Sequence, residues 1–227
     1  MSENPIKLVI VEDQQLLAQM LAAWVANQPD LLLVGCASDG EEGWTLCRTL
    51  RPTLALVDIE LPKLGGLELA GRLLQQKPPI PTLTMSGFVD PYTIWRVCQS
   101  GAHGYVDKTQ DVALLMEGIR AVAAGKTYFS KVFEQVKQDS LAQPQAFHAA
   151  LTQREQAVLQ RVVAGWDDRS IGTQFCISTV TVAAHRKHIR KKLDLHNDRQ
   201  LVAYASRWGL NRTAGPNHYA PKRNPED

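Results

Sequence analysis

Three carboxylates, a hydroxyl and an amine are spaced along the first half of this chain so that they can meet at one place. Glu12 and Asp13 follow the apolar run Ile6–Val11, and Asp58 follows Leu54–Val57. Ser86 ends the run that begins at Thr82, and Lys108 follows Gly104–Val106. Carboxylates that converge repel one another, and the usual relief is a hard divalent cation bound through oxygen. Magnesium keeps several of its waters and accepts a phosphoryl oxygen as a further ligand. Ser86 can donate a hydrogen bond, and the Lys108 ammonium can neutralise phosphoryl charge. The chemistry such a set allows is the formation and holding of an aspartyl phosphate, with Asp58 as nucleophile. Thr84 is a rival for the hydroxyl, but Ser86 is preferred because it stands last in its run.

The residues meet only if the right elements carry them. Strand-like runs over Ile6–Val11, Leu31–Ala37, Leu54–Val57, Thr82–Met85 and Gly104–Val106 alternate with amphipathic stretches over Gln14–Asn27, Glu41–Leu50, Gly66–Gln76, Pro91–Ser100 and Asp111–Ala124. Five strand-then-helix units predict a parallel sheet covered by helices on both faces. That is the flavodoxin-like, doubly wound (βα)5 architecture, whose sites sit at the carboxyl ends of the strands, where the strand order reverses. Glu12, Asp13 and Asp58 then fall at neighbouring strand ends.

After Gly125 the pattern changes. One more helix is expected over about 130–140, and 138–149, polar and containing Pro144, reads as a linker. From Leu151 to Leu210 every segment has helical period, and 211–227 reads as a disordered tail. The expected division is therefore 1–128, a helix and linker over 129–150, an all-α domain over 151–210, and the tail. The charge is uneven as well. Residues 1–130 hold 10 Lys+Arg against 14 Asp+Glu, net −4, and 131–227 hold 15 against 9, net +6. A basic C-terminal part favours nucleic acid as its partner. Cys36, Cys47, Cys98 and Cys176 form no C-x-x-C pair and read as small buried residues in a reducing compartment. No stretch approaches the roughly 20 apolar residues of a membrane span, and the N-terminus lacks a signal-peptide pattern, so a cytoplasmic location without membrane contact is expected.

In the basic part, Thr152 and Glu155 form a capping box that opens a helix with the apolar stripe Val158, Leu159, Val162 and Val163. Asp168–Phe175 reads as a short helix, Cys176-Ile177 as a turn, and Ser178 as the cap of a longer helix reaching Leu193. This is the order of a helix-turn-helix. Val182, Ile189 and Leu193 share one face of the longer helix, while Arg186, Lys187, Arg190 and Lys191 surround the rest. An exposed basic helix can enter the major groove of double-stranded DNA.

Two resemblances sharpen these readings. Glu12-Asp13, Asp58 with Pro62 four residues on, Ser86, and Gly101-Ala102 leading to Tyr105 and Lys108 together resemble a response-regulator receiver domain over about residues 5–125. The resemblance implies that a histidine kinase phosphorylates Asp58. It implies that Glu12, Asp13, Asp58 and the backbone carbonyl of Glu60 hold Mg2+, that Ser86 and Lys108 contact the phosphoryl group, and that Tyr105 changes rotamer on activation. Glu12 departs from the aspartate common there, and Thr109 from a frequent proline. Residues 151–210 are similar to the LuxR-type helix-turn-helix of the NarL/FixJ subfamily, through Leu151-Thr152, Arg154-Glu155, Val158-Leu159, Gly165, Ile171, Ser178, Thr181-Val182, His185, Ile189 and Lys192-Leu193. By that similarity Ala183, Ala184 and Lys187 face bases, whereas Thr179, Thr181, Arg186, Arg190 and Lys191 lie near phosphates. Ala183 replaces a lysine frequent in relatives. Tyr204 and Trp208 read either as core aromatics or, because the last helix dimerises in relatives, as a face toward a second copy, and a homodimer when active is expected.

The sequence thus predicts a phosphorylation-switched, DNA-binding transcription regulator and not an enzyme. One rival is a phosphorylation-independent DNA-binding regulator whose receiver only mediates dimerisation. The other, an enzyme using the magnesium site on a small phosphorylated substrate, lacks a Gly-rich phosphate loop and a second substrate domain.

Overall fold

The computed structural model describes residues 5–141 and 146–210. The expected tail over 211–227 and the middle of the expected linker lie outside those residues. The chain forms two compact units, with the main division between Val136 and Lys137.

The first unit is built on strands β1 (Ile6–Val11), β2 (Leu31–Ala37), β3 (Leu54–Asp58), β4 (Thr82–Ser86), β5 (Gly104–Asp107) and β6 (Tyr128–Phe129). They lie in the order β2-β1-β3-β4-β5-β6, and every pairing is parallel. Helices α1 (Gln15–Ala26), α2 (Gly40–Leu50), α3 (Gly66–Leu74), α4 (Pro91–Ser100) and α5 (Val112–Ala123) connect them. The five expected strands and helices are all present. The sixth strand, β6, was not expected. It is two residues long and joins the edge at Gly104 and Tyr105 through its backbone, so it leaves no alternation to read.

Side chains of successive strand residues point to opposite faces, and this divides the core in two. Leu8, Ile10, Leu54, Leu56, Leu83, Met85 and Val106 pack with Leu21 and Val25 of α1 and with Leu115, Met116, Ile119 and Val122 of α5. Val9, Val11, Ala55 and Val57 pack on the other face with Cys47 of α2 and with Leu69 and Leu73 of α3. Each fully buried Leu, Ile or Val contributes about 1.5–3 kcal/mol, so the two-sided apolar runs that announced the strands also hold the sheet rigid. A third cluster joins Ile59, Leu67, Ile94, Val97 and Tyr105 to Phe133 of α6 (Lys131–Leu141), the expected extra helix.

The cysteines correct the sequence reading. Cys47 alone is buried, with its thiol pushed up to about 12 by burial, whereas Cys36, Cys98 and Cys176 are exposed. None of the four is joined in a disulfide.

The second unit holds α7 (Phe147–Ala150), α8 (Gln153–Val163), α9 (Asp168–Phe175), α10 (Thr179–Lys192) and α11 (Asp198–Trp208). The capping box is formed: the Thr152 hydroxyl accepts from the Glu155 amide at 3.3 Å, and the Glu155 carboxylate accepts from the Thr152 amide at 2.9 Å. Cys176 ends α9 in the left-handed region, at φ 54°, and Ser178 caps α10 by accepting from the Thr181 amide at 3.1 Å. Val182, Ile189 and Leu193 are buried as expected. Ala146 and Phe147, placed in the linker, are fully buried, and Trp208, read either as core or as facing a second copy, is buried and meets the Phe147 ring edge-on at 5.8 Å. Trp208 is therefore core, while Tyr204 beside it is partly exposed. No helix among the described residues is long and apolar enough to cross a membrane.

One glycine shows how tightly the site end of the sheet is built. A Cβ added at Gly66 would stand 1.8 Å from the carbonyl oxygen of Asp58, so α3 can start against β3 only with hydrogen there. Gly66→Ala should lower receiver stability by about 2–4 kcal/mol, read as the first-unit transition in urea unfolding. Unchanged stability would mean that α3 does not press on the end of β3 in solution.

Candidate functional site

The sheet register brings the acidic residues together. Val11 of β1 pairs with Val57 of β3, so Glu12 and Asp58 are the next residues on neighbouring strands. Here the order reverses, because β2 lies to one side of β1 and β4 to the far side of β3. Carboxylate oxygens of Glu12, Asp13 and Asp58 lie within 4.8 Å of one another. Glu12 and Asp58 are each 1% exposed, and Asp13 reaches solvent.

On the other side, Ser86 pairs with Asp107, and the Lys108 amide donates to the Ser86 carbonyl at 2.9 Å. Lys108 then turns inward, and its Nζ lies 2.8 Å from both Glu12 Oε2 and Asp58 Oδ2. The turn is set by Asp107, whose Oδ1 accepts from the Thr109 amide and from the Thr109 hydroxyl, each at 2.8 Å. Thr109, a departure from the family pattern, thus fixes the loop that aims Lys108.

Burial drives the Glu12 carboxyl up, the neighbouring Asp58 charge adds to this, and the Lys108 ammonium offsets only part of it. Burial alone would lower Lys108, but Asp58 and Glu12 outweigh it and hold the ammonium above its ordinary value. Glu12 Oε2 is buried without a well-aligned hydrogen-bond donor, and only the ammonium faces it. With all three acids ionised, one ammonium leaves the pocket two negative charges in excess, the amount one divalent ion supplies. Oxygen donors, charge balance and an underserved buried carboxylate all fit a hard dication.

The two candidate hydroxyls differ in position. Thr84 is fully buried and donates to the Gly104 carbonyl at 2.8 Å, which commits it to the sheet interior. Ser86 stands at the strand end, where its Oγ accepts from the Phe88 amide at 3.1 Å. The Phe88 carbonyl in turn accepts from the Tyr105 hydroxyl at 2.7 Å. The Tyr105 ring is fully buried, 5.1 Å from the Phe133 ring. Glu60 donates its amide to Asp58 Oδ1 at 3.2 Å, which places its backbone beside the pocket.

In the second unit, α10 turns Val182, Ile189 and Leu193 inward and leaves Thr179, Thr181, Ala183, Ala184, Lys187 and Lys191 exposed. Arg186 and Arg190 behave differently from the free cations expected. Arg186 reaches Asp168 of α9 at 2.6 Å and also Asp198 of α11, and Arg190 reaches Asp198 at 2.7 Å. Lys192 pairs with Glu155 of α8 at 2.7 Å. Three of the five α10 cations therefore tie that helix to the rest of its unit. The sequence reading missed the ion pairs that these three acids make, although it named Glu155 as part of the capping box. Their signal was there to find, since all three stand in the first turn of a helix in an otherwise basic segment.

A parallel receiver sheet with this acidic end, followed by a helix-turn-helix, defines a response regulator, and the comparisons agree. Residues 8–120 match the family of response regulator receiver domains, and residues 149–205 match the bacterial regulatory proteins of the luxR family. The response regulator GacA of Pseudomonas syringae pv. syringae is 30% identical over 208 residues, covering 90% of this chain and 97% of that protein. The transcriptional regulatory protein DegU of Brevibacillus brevis is 30% identical over 220 residues, covering 88% and 93%. Among solved structures, RcsB of Salmonella enterica serovar Typhimurium, bound to a promoter in the presence of the phosphomimetic BeF3−, shares the fold. Its TM-score is 0.63 at 19% identity, with 90% of this chain and 99% of that chain covered. The chain belongs to the NarL/FixJ family of two-component response regulators, with a receiver domain and a LuxR-type DNA-binding domain.

The Glu155–Lys192 pair carries a pH signature. Burial pushes the Glu155 carboxyl up, but Lys192 and the bonds from Thr152 outweigh it and hold the group below its usual 4.5. A depressed carboxyl stabilises the folded state above its unfolded value and loses that contribution as pH falls through the folded one. Glu155→Gln should therefore be less stable than the parent near neutrality, and the gap should close as pH drops below about 4.5. Thermal unfolding of the helical unit, followed by circular dichroism across that range, checks this. A gap that stays constant would leave the pair no role.

Proposed function

We propose that Asp58 is the phosphoacceptor of this regulator and that its phosphorylation by a histidine kinase controls binding of the 151–210 domain to double-stranded DNA. The observation that carries the reading is the buried Asp58 carboxylate, with Lys108 Nζ at 2.8 Å and the carboxylates of Glu12 and Asp13 beside it. A chain using its receiver only as a dimer surface has no need to bury two acids against one lysine with a third acid beside them.

In this reading, residues 1–128 receive the signal, 129–150 connect, and 151–210 respond, in a cytoplasmic protein that forms a homodimer when active. Glu12, Asp13, Asp58 and the backbone carbonyl of Glu60 would hold Mg2+, which supplies positive charge to the phosphoryl oxygens. Asp58 attacks phosphorus as the bond to the donor breaks. Lys108 then gives up part of its hold on the Asp58 carboxylate for the new phosphoryl oxygens. Ser86 turns its hydroxyl toward the same group, which withdraws the acceptor that the Phe88 amide now uses. Phe88 also holds the Tyr105 hydroxyl, so the change reaches Tyr105 and, through ring contact, Phe133 of α6. On the DNA side, Ala183, Ala184 and Lys187 lie toward bases, and Thr179, Thr181 and Lys191 toward phosphates. Arg186 and Arg190 contribute mainly by fixing α10.

Incubation of the full chain with acetyl phosphate and magnesium should add one phosphoryl group by mass, and Asp58→Asn should abolish the addition. Beryllofluoride should then raise DNA affinity, shift the chain toward a dimer, or both. Labelling that survives Asp58→Asn, or affinity and oligomeric state that ignore beryllofluoride, would overturn the reading.

A further inference from the structure

The exposed face of α10 bears an unusual combination. Val180 is 77% exposed, more than any other large apolar residue among those described. At about 100° per residue, Val180, Ala183, Ala184, Lys187 and Lys191 all fall within about 60° of one direction. That direction is opposite the buried Val182, Ile189 and Leu193. The face is apolar over its first two turns and cationic over the last two. Lys187 and Lys191 have no ion-pair partner among the described residues, whereas Arg186, Arg190 and Lys192 are held by Asp168, Asp198 and Glu155. The start of the helix, which enters deepest in a helix-turn-helix complex, thus offers methyl groups in place of donors.

We infer that Val180, Ala183 and Ala184 form a methyl-reading surface, so that this chain selects duplexes with thymine where the start of α10 meets the major groove. The inference rests on the DNA-binding reading and specifies its ligand. Thymine is the one base that presents a methyl group at the major-groove edge, and apolar side chains are its natural partners. Purines and cytosine present donors or acceptors there, which three alkyl side chains would desolvate without replacing their bonds. The flanking Lys187 and Lys191 supply the charge complementarity that commits the patch to a nucleic acid rather than to an apolar protein surface.

The test uses the full chain, with and without beryllofluoride, to select from a pool of random duplexes. Thymines in the selected sequence are then replaced one at a time by deoxyuridine, which removes the methyl and leaves the pairing edge intact. At one or more thymines per half-site the replacement should weaken binding roughly 3- to 10-fold. Val180→Ala should weaken the thymine duplex by a similar factor and make at least one of those positions indifferent to deoxyuridine. A selected sequence whose affinity ignores every such replacement, or a penalty unchanged by Val180→Ala, overturns the methyl-reading surface while leaving DNA binding intact. Failure to enrich any sequence in either state overturns DNA reading itself, and this inference with it.

Discussion

The receiver is organised around one electrostatic problem, the burial of two carboxylates at the ends of adjacent strands. Two such charges in a low-dielectric site repel strongly, and a single ammonium at 2.8 Å from each balances only one of them. Everything near the pocket serves to keep this uneven arrangement in place. The parallel register sets Glu12 beside Asp58, Gly66 lets α3 close against β3, and the Asp107–Thr109 turn aims the lysine. A pocket left short of positive charge favours whatever brings more of it, and this suits it to a divalent cation.

The second unit treats charge in the opposite way. Its recognition helix is basic, yet most of that basicity is internal: Asp168, Asp198 and Glu155 neutralise three cations and clamp α10 to α9, α11 and α8. Arg186 binds two acids from different helices, as its planar, multi-donor guanidinium allows. Each exposed pair is worth little alone, but the network joins four helices whose apolar core is small. Rigidity of the reading helix is thereby gained at the expense of free positive charge, which leaves Lys187 and Lys191 as the cations open to a partner.

What the sequence revealed follows from how locally each feature is encoded. The five buried strands and the pocket were legible because a strand end and an acid lie next to each other in the chain, and the doubly wound order does the rest. The caps at Thr152 and Ser178 were legible for the same reason. The misses depend on distant partners. Strand β6 is defined by pairing with β5 rather than by any pattern of its own. Phe147 stands in a polar stretch and becomes core by meeting distant residues such as Trp208, some sixty residues on. Arg186 and Arg190 read as solvent-facing cations until α9 and α11 place acids beside them. The cysteines failed for a simpler reason, since residue type predicts burial only on average, and Cys36, Cys98 and Cys176 fall on outward positions.

One residue links the edge of the pocket to the aromatic core. The Phe88 amide donates to Ser86 Oγ at the end of β4 and its carbonyl accepts from the Tyr105 hydroxyl, so its position reports on both. Were Ser86 to rotate, the Phe88 amide would lose its acceptor, and a segment holding a fully buried tyrosine would be released. Tyr105 is itself packed against Phe133, which also stacks on Phe129 at 4.7 Å. Those two phenylalanines belong to β6 and α6, the elements that follow the expected five-unit receiver. An aromatic ring buried on both sides cannot shift without moving its neighbours, because close-packed cores have few vacancies to absorb the motion. Through β6 and α6, the packing around Tyr105 therefore extends to the first residues of the segment that precedes the DNA-binding domain in the chain.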